Sequence, residues 1–287
     1  MFMVGAMAAF AIEDALFKSA TQAVPVGLAL LIFGGSGTVI FALLARQQGD
    51  GILPAAGLSR GLWVRSIFEL TGRLFFGLAL AFADLSTTSA ILQATPLVVV
   101  AGAVVVFGER VGWRRWLAIA FGLVGVLLVL RPSGSGLDWT ALFAVLGMLG
   151  FAGRDLATRA SAPSVTNAQL GVLGFIALTT AGLLVHLATG APWAAPAELP
   201  PVGALARLLG AAVFGVIAYS ALTTAMRSGD VSVVTPFRYT RLVFALILAI
   251  LLFGERPDAM MLLGSALIVG SGLFTLARSR PNDRRAA

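Results

Sequence analysis

Glu69 follows Arg65 by four residues and precedes Arg73 by four, in the stretch RSIFELTGR. A four-residue step returns a side chain to the same helix face, so this carboxylate sits between two guanidinium groups as a salt-bridge ladder. Other charges fall inside apolar stretches in the same way. Glu13, Asp14 and Lys18 share one run, with Asp14 and Lys18 one turn apart and able to pair. Arg154 adjoins Asp155, with Arg159 one turn later, and VVTPFRYTRL places Arg238 and Arg241 three apart at the mouth of a purely apolar segment ending at Phe253. Uncharged donors and acceptors lie nearby: Gln93 and Thr95 before Pro96, and Tyr219, Ser220, Thr223 and Thr224. A carboxylate gains or loses a proton as its exposure changes. Guanidinium groups hold anions and carboxylates. The deepest charges, Glu13, Asp14, Glu69 and Asp155 against Arg73, Arg154, Arg238 and Arg241, sum to a near-neutral interior.

The elements that must position these groups are apolar helices. The chain has 287 residues, 59% hydrophobic and 11% charged, with a mean hydropathy of +0.95. Soluble domains carry about 25% charged residues, so composition indicates an integral membrane protein. About 20 apolar residues span a bilayer as a helix, and ten runs qualify: 2–20, 26–45, 62–82, 86–107, 114–130, 139–158, 168–188, 205–226, 232–253 and 259–277. None alternates apolar and polar residues as barrel strands do, which predicts an all-α membrane protein. The first run lacks a basic start and carries three charges, so it reads as a retained helix rather than a cleaved signal.

There is no cysteine and one histidine, His186, which lies near a run's end and reads as interfacial. The lack of cysteine excludes thiolate metal sites, a sole histidine argues against a zinc site or Ser-His-Asp chemistry, and neither metal nor cofactor is expected. A lipid-modifying enzyme would want a histidine, metal ligands or an interfacial carboxylate cluster. A purely structural subunit would not need charges on several helices. The net charge of +7 is explained by position rather than by nucleic acid. With a cytoplasmic N-terminus, Arg46, Arg60, Arg110, Arg114, Arg115, Arg159, Arg227 and the tail arginines fall inside, and only Lys18, Arg131, Arg207 and Arg256 outside. That is the positive-inside pattern, and an even number of spans returns the C-terminus to the cytoplasm.

The chain is written twice. FGER occurs at Phe107–Arg110 and Phe253–Arg256, an offset of 146 that also pairs Asp84 with Asp230 and Ser86 with Ser232. Further upstream an offset of 141 pairs Met7 with Met148, Phe10 with Phe151, Asp14 with Asp155 and Lys18 with Arg159. Two five-helix units, 1–136 and 137–287, account for both. Five is odd, so the second unit enters the membrane from the opposite side and the repeat is inverted, an architecture of secondary transporters. There is no Walker motif, and PSGSGLD reads as a turn. GGSG at Gly34–Gly37 lies inside an apolar run, where small residues allow close helix packing.

If the ninth span begins near Ser232, a rise of about 1.5 Å per residue puts Arg241 roughly 13 Å deep. Arg238 can snorkel to the interface and Arg241 cannot. Pro236 lacks an amide hydrogen and predicts a bend there.

The two closing sequences, ATPLVVVAGAVVVFGERVGWRRWLAIAFGLVGVLLVLRP and FGERPDAMMLLGSALIVGSGL, resemble the EamA domains of the drug/metabolite transporter superfamily. TPFRYTRL and the two helices bearing Asp14 and Asp155 are similar to those of bacterial S-adenosylmethionine uptake and riboflavin carriers. The resemblance implies ten helices in an inverted repeat around a central cavity, and a carrier of the inner membrane that moves a small heterocyclic metabolite by alternating access. Amino-acid or drug export is the alternative. It assigns substrate contact to Phe237, Arg238, Tyr239 and Arg241, joined by Gln93 and Tyr219. Gating or coupling falls to Glu13, Asp14, Lys18, Glu69, Arg73, Arg154 and Asp155, and hinges to Pro96 and Pro236. The expected partners are a substrate molecule, membrane lipids and, in an arrangement left open, a second copy in a homodimer.

Overall fold

The computed structural model describes residues 2–54, 59–108, 112–130, 139–159, 165–190, 201–228 and 235–277. Glu109, Arg110, Asp230, Ser232, the PSGSGLD turn, most of the Pro-rich loop after helix eight and the arginine tail lie outside the described residues. The helices are α1 (Phe2–Thr21), α2 (Val26–Gln47), α3 (Arg60–Phe82), α4 (Leu85–Leu92), α5 (Thr95–Phe107), α6 (Trp113–Leu130), α7 (Trp139–Arg159), α8 (Asn167–Thr189), α9 (Val202–Ser228), α10 (Thr240–Phe253) and α11 (Ala259–Ala277). A 3-10 turn, Thr235–Tyr239, leads into α10. α4 with α5 forms the fourth span, and the turn with α10 forms the described part of the ninth, giving the ten expected.

Five spans are long and apolar enough to cross a membrane on composition alone. α1 and α3 have the length, but each carries three or more charges, and Glu13, Asp14, Arg65 and Glu69 on them are buried. The opposite character lies outside. Large apolar side chains such as Val105, Leu251 and Leu187 are more than half exposed, the surface a hydrocarbon solvent calls for. Trp113 and Trp139 are exposed at the first turns of α6 and α7, where amphipathic rings suit the lipid headgroup level.

The packing repeats with a period of five spans. α1 packs on α9 as α3 packs on α7, and α2 touches α9 as α3 touches α8. α1 meets α10 as α7 meets α4 and α5. α2 with α8, α6 with α11 and α4 with α10 each pair a span with its own counterpart. Every one of these relations maps onto itself or another when spans are shifted by five, which is the pseudo-two-fold symmetry of an inverted repeat. α5 and α10 also end alike, on Gly108 (φ 65°) and Gly254 (φ 63°), both in the left-handed region that a Cβ disfavours.

The fourth span, expected as one continuous run over 86–107, breaks between Leu92 and Thr95, and Pro96 explains it. Its missing N–H leaves the carbonyl of Leu92 without a helical donor, and the hydroxyl of Thr95 donates to that oxygen instead (2.5 Å). The neighbouring bonds tighten to 3-10 spacing, with Gln93 N to Ala90 O at 3.1 Å and Ala94 N to Ile91 O at 3.0 Å. In the ninth span the bend expected at Pro236 is the 3-10 turn, which ends within one residue of the repeat-equivalent position.

The expectation for GGSG holds. A Cβ on Gly34 would lie 2.5 Å from the backbone nitrogen of Thr179 in α8. His186, expected at an interface, is instead fully buried in α8 because Gly27 of α2 lets the two backbones close over it. Gly34→Val is expected to destabilise the protein by about 1–3 kcal/mol through overpacking. A melting temperature in detergent unchanged from wild type would contradict this packing.

Candidate functional site: charges around a central cavity

Glu69 is fully buried on α3 and collects three guanidinium groups. The expected ladder is present, with Arg73 Nε donating to Oε1 (3.1 Å) and Arg65 Nη2 to Oε2 (3.4 Å). Arg154, reaching across from α7, adds Nη1 to Oε1 at 3.4 Å. Arg65 extends the network, with Nε to the Thr158 hydroxyl (3.0 Å) and Nη2 to the Tyr219 hydroxyl (3.4 Å). One carboxylate therefore ties α3 to α7 directly, and α3 to α9 through Arg65.

Two satellite groups flank it. Arg154 donates twice to Asp155 Oδ1, from Nη2 (2.8 Å) and Nε (3.0 Å), while Arg238 approaches Oδ2 only to 3.7 Å. Glu13 on α1 faces Arg73 Nη1 at 3.8 Å, and its Oε2 is buried without a hydrogen-bond partner among the described residues. Asp14 does not pair with Lys18. It accepts from Arg241, at 2.6 Å from Nη2 and 3.2 Å from Nε, because the planar fork of α10 reaches a site buried too deeply for the lysine's outward-running stem. Arg241 also lies over the rings of Phe10 (4.8 Å) and Phe76 (5.5 Å), faces that favour a cation out of water.

Lys18 instead donates to the carbonyls of Leu80 (3.4 Å) and Ala83 (2.5 Å) at the end of α3, and sits 5.5 Å from the Phe253 ring centroid. Beside it, Glu255 accepts from the first amides of α4, Leu85 N (2.7 Å) and Ser86 N (2.9 Å). A cation thus caps the negative end of α3 and an anion the positive end of α4. The ends of α1, α3, α4 and α10 are fastened together on the face that carries the α1–α2 turn.

Between these groups lies a cavity of about 90 Å³, lined by Phe10, Glu13, Asp14, Arg73, Gln93, Pro96, Arg154, Tyr219, Arg238 and Arg241 among others. A water occupies about 30 Å³, so in this state the cavity has room for only a few waters. Gln93, at the break of the fourth span, donates its amide to the carbonyls of Tyr239 (3.2 Å) and Arg238 (3.3 Å), joining the two interrupted spans. Of the aromatic pair expected to contact substrate, Phe237 is half exposed, and the ring of Tyr239 packs against Gly272 of α11; neither lines the cavity. Sequence reasoning missed Glu255, for which the repeated FGER was the available signal, and the Phe10 and Phe76 faces beneath Arg241.

The profile of the EamA-like transporter family matches residues 1–131 and again residues 138–277. The chain belongs to the EamA-like transporter family. It is a multi-pass membrane protein of a transporter family. Among EamA-type relatives, it is 31% identical to a riboflavin transporter of Rhizobium johnstonii over 69% of this chain and 64%, just under two thirds, of that protein's length. It is 29% identical to an S-adenosylmethionine uptake transporter of Rickettsia bellii over 71% of this chain and 69% of that one. A pseudopaline exporter of Pseudomonas aeruginosa is 26% identical over 91% of this chain and 89% of its own. A solved crystal structure superposes with a TM-score of 0.64 at 22% identity, covering 96% of this chain and 97% of that chain, which shows the shared fold.

Proposed function

We propose that this protein is a secondary carrier of the inner membrane, with both termini in the cytoplasm, that moves a riboflavin- or S-adenosylmethionine-like heterocyclic metabolite by alternating access. The observation that carries the reading is a small, charged cavity among symmetric helix pairs, with one face fastened by Lys18 and Glu255. Such a fastening supports a carrier closed on its outer side. The repeats 1–136 and 137–287 are the two units that rearrange, with Pro96 and Pro236 as hinges. Substrate contact is assigned to Gln93, Tyr219, Arg238 and Arg241. Glu13 is the coupling group, since it is the carboxylate with the fewest bonds to lose on taking up a proton.

Export is the second reading, favoured by the pseudopaline exporter, whose alignment covers 91% of the chain. Purified protein in liposomes, loaded with unlabelled riboflavin or S-adenosylmethionine and offered the labelled compound outside, is expected to show counterflow with one of them. Repeating the assay with opposed proton gradients tests coupling and the favoured direction. Absence of flux for every candidate metabolite, with product formed from lipid, would sink the carrier reading.

The outer fastening predicts its own result. Glu255→Gln weakens two charge-assisted hydrogen bonds, of a kind worth about 1.5–3 kcal/mol, and shifts the population toward the outward-open state by about tenfold. The chain has no cysteine, so Met7→Cys, a buried position lining the cavity, reports access to a membrane-impermeant maleimide in intact cells. Labelling no faster with Glu255→Gln than without it would show that Glu255 does not hold the gate.

A further inference from the structure

We propose that the transported molecule carries a net negative charge and that its oxyanion docks on Arg238. This rests on the carrier reading and narrows its substrate to a heterocyclic anion; riboflavin, which is neutral, and S-adenosylmethionine, which is a net cation, do not meet it. The buried network, counted among the described residues, holds five guanidinium groups (Arg65, Arg73, Arg154, Arg238, Arg241) and four carboxylates (Glu13, Asp14, Glu69, Asp155). One positive charge is left over in a site walled by apolar helices, where an unbalanced charge is disfavoured. A bound monoanion balances it; a cation doubles it.

The geometry points to where the anion goes. Arg241 is committed to Asp14, and Arg154 to Asp155 and Glu69. Arg65 does not line the cavity, and Arg73 already gives Nε to Glu69. Arg238 lines the cavity, is about a quarter exposed, and among the described residues has as its charged contact only the long approach to Asp155. At 3.7 Å that contact is beyond hydrogen-bond distance, so the fork of Arg238 retains donors for a carboxylate or phosphate. Asp155 does not repel the anion strongly, because Arg154 already neutralises it through two bonds. Gln93 is the positioning residue: holding the carbonyls of Arg238 and Tyr239, it fixes the turn that aims the guanidinium.

The test uses the full chain in lipid nanodiscs and four probes of one shape: benzoate, benzamide, benzylamine and phenyl phosphate. Binding is read by ligand-detected NMR and by thermal shift. Benzoate or phenyl phosphate is expected to bind at least about tenfold more tightly than benzamide, and benzylamine more weakly still. Which of the two oxyanions binds better identifies carboxylate or phosphate as the group recognised. Arg238→Gln is expected to erase the preference for the anion over benzamide while leaving the melting temperature near wild type. Equal binding of benzoate, phenyl phosphate and benzamide, preference for benzylamine, binding of none of the four, or an anion preference that survives Arg238→Gln would each overturn the proposal. Counterflow of riboflavin or S-adenosylmethionine without anion preference leaves the carrier reading standing and removes this one. Arg238-dependent anion binding without flux of riboflavin or S-adenosylmethionine keeps the oxyanion site and removes those two compounds as substrates.

Discussion

Glu69→Ala is expected to lower the melting temperature in detergent by roughly 10 °C and to cut the yield of folded protein. Removing this fully buried carboxylate leaves Arg65, Arg73 and Arg154 facing one another without their common acceptor. Breaking a buried ion pair by deleting one partner costs about 3–5 kcal/mol, and in a chain of this size each kcal/mol moves the midpoint by roughly 2–4 °C. The sign of the coupling is also expected: adding Arg65→Met to Glu69→Ala should recover part of the loss, because it removes one stranded charge. A double variant no more stable than Glu69→Ala would mean that the three arginines find solvent or lipid headgroups without Glu69, and that the network does not order the bundle.

The second large effect belongs to Arg241. Arg241→Ala is expected to abolish transport, by about a hundredfold or more, and to destabilise the protein, because Asp14 is then a buried, unpaired carboxylate on α1. The two consequences separate in the double variant Asp14→Asn with Arg241→Gln. That pair is neutral and stays hydrogen-bonded, so the melting temperature should return toward wild type while counterflow in liposomes stays lost. Recovery of flux in the double variant would assign the Asp14–Arg241 pair to structure alone.

The ten spans were legible because a bilayer demands about 20 apolar residues per helix, and their observed ends fall within a few residues of the apolar runs. The Arg65–Glu69–Arg73 ladder was legible because helix periodicity fixes which residues share a face. What periodicity cannot rank is a partner on another helix. Asp14 looked able to pair with Lys18 one turn away, and the structure gives it Arg241, more than two hundred residues on. The arrival of Arg154 at Glu69, the capping of α4 by Glu255 and the burial of His186 are hidden for the same reason: each depends on which helices adjoin. The repeat in the sequence did contain part of this information. It related the two halves by offset, and the equivalent helix pairings follow from that relation, but the self-pairings had to be seen.

Those self-pairings constrain both repeats together. α2 meets α8, its counterpart in the second repeat; α6 meets α11; α4 meets α10. At the α6–α11 crossing a Cβ on Gly125 would lie 2.6 Å from the carbonyl oxygen of Gly264, and one on Gly264 equally close to that of Gly125. A surface that pairs with its own copy is isologous, the contact of a two-fold dimer. The present single chain therefore carries, within one polypeptide, a contact of the kind that joins the two subunits of a symmetric dimer. Any residue on that internal axis answers to two protein halves at once, so a side chain gained on one must be matched by space on the other.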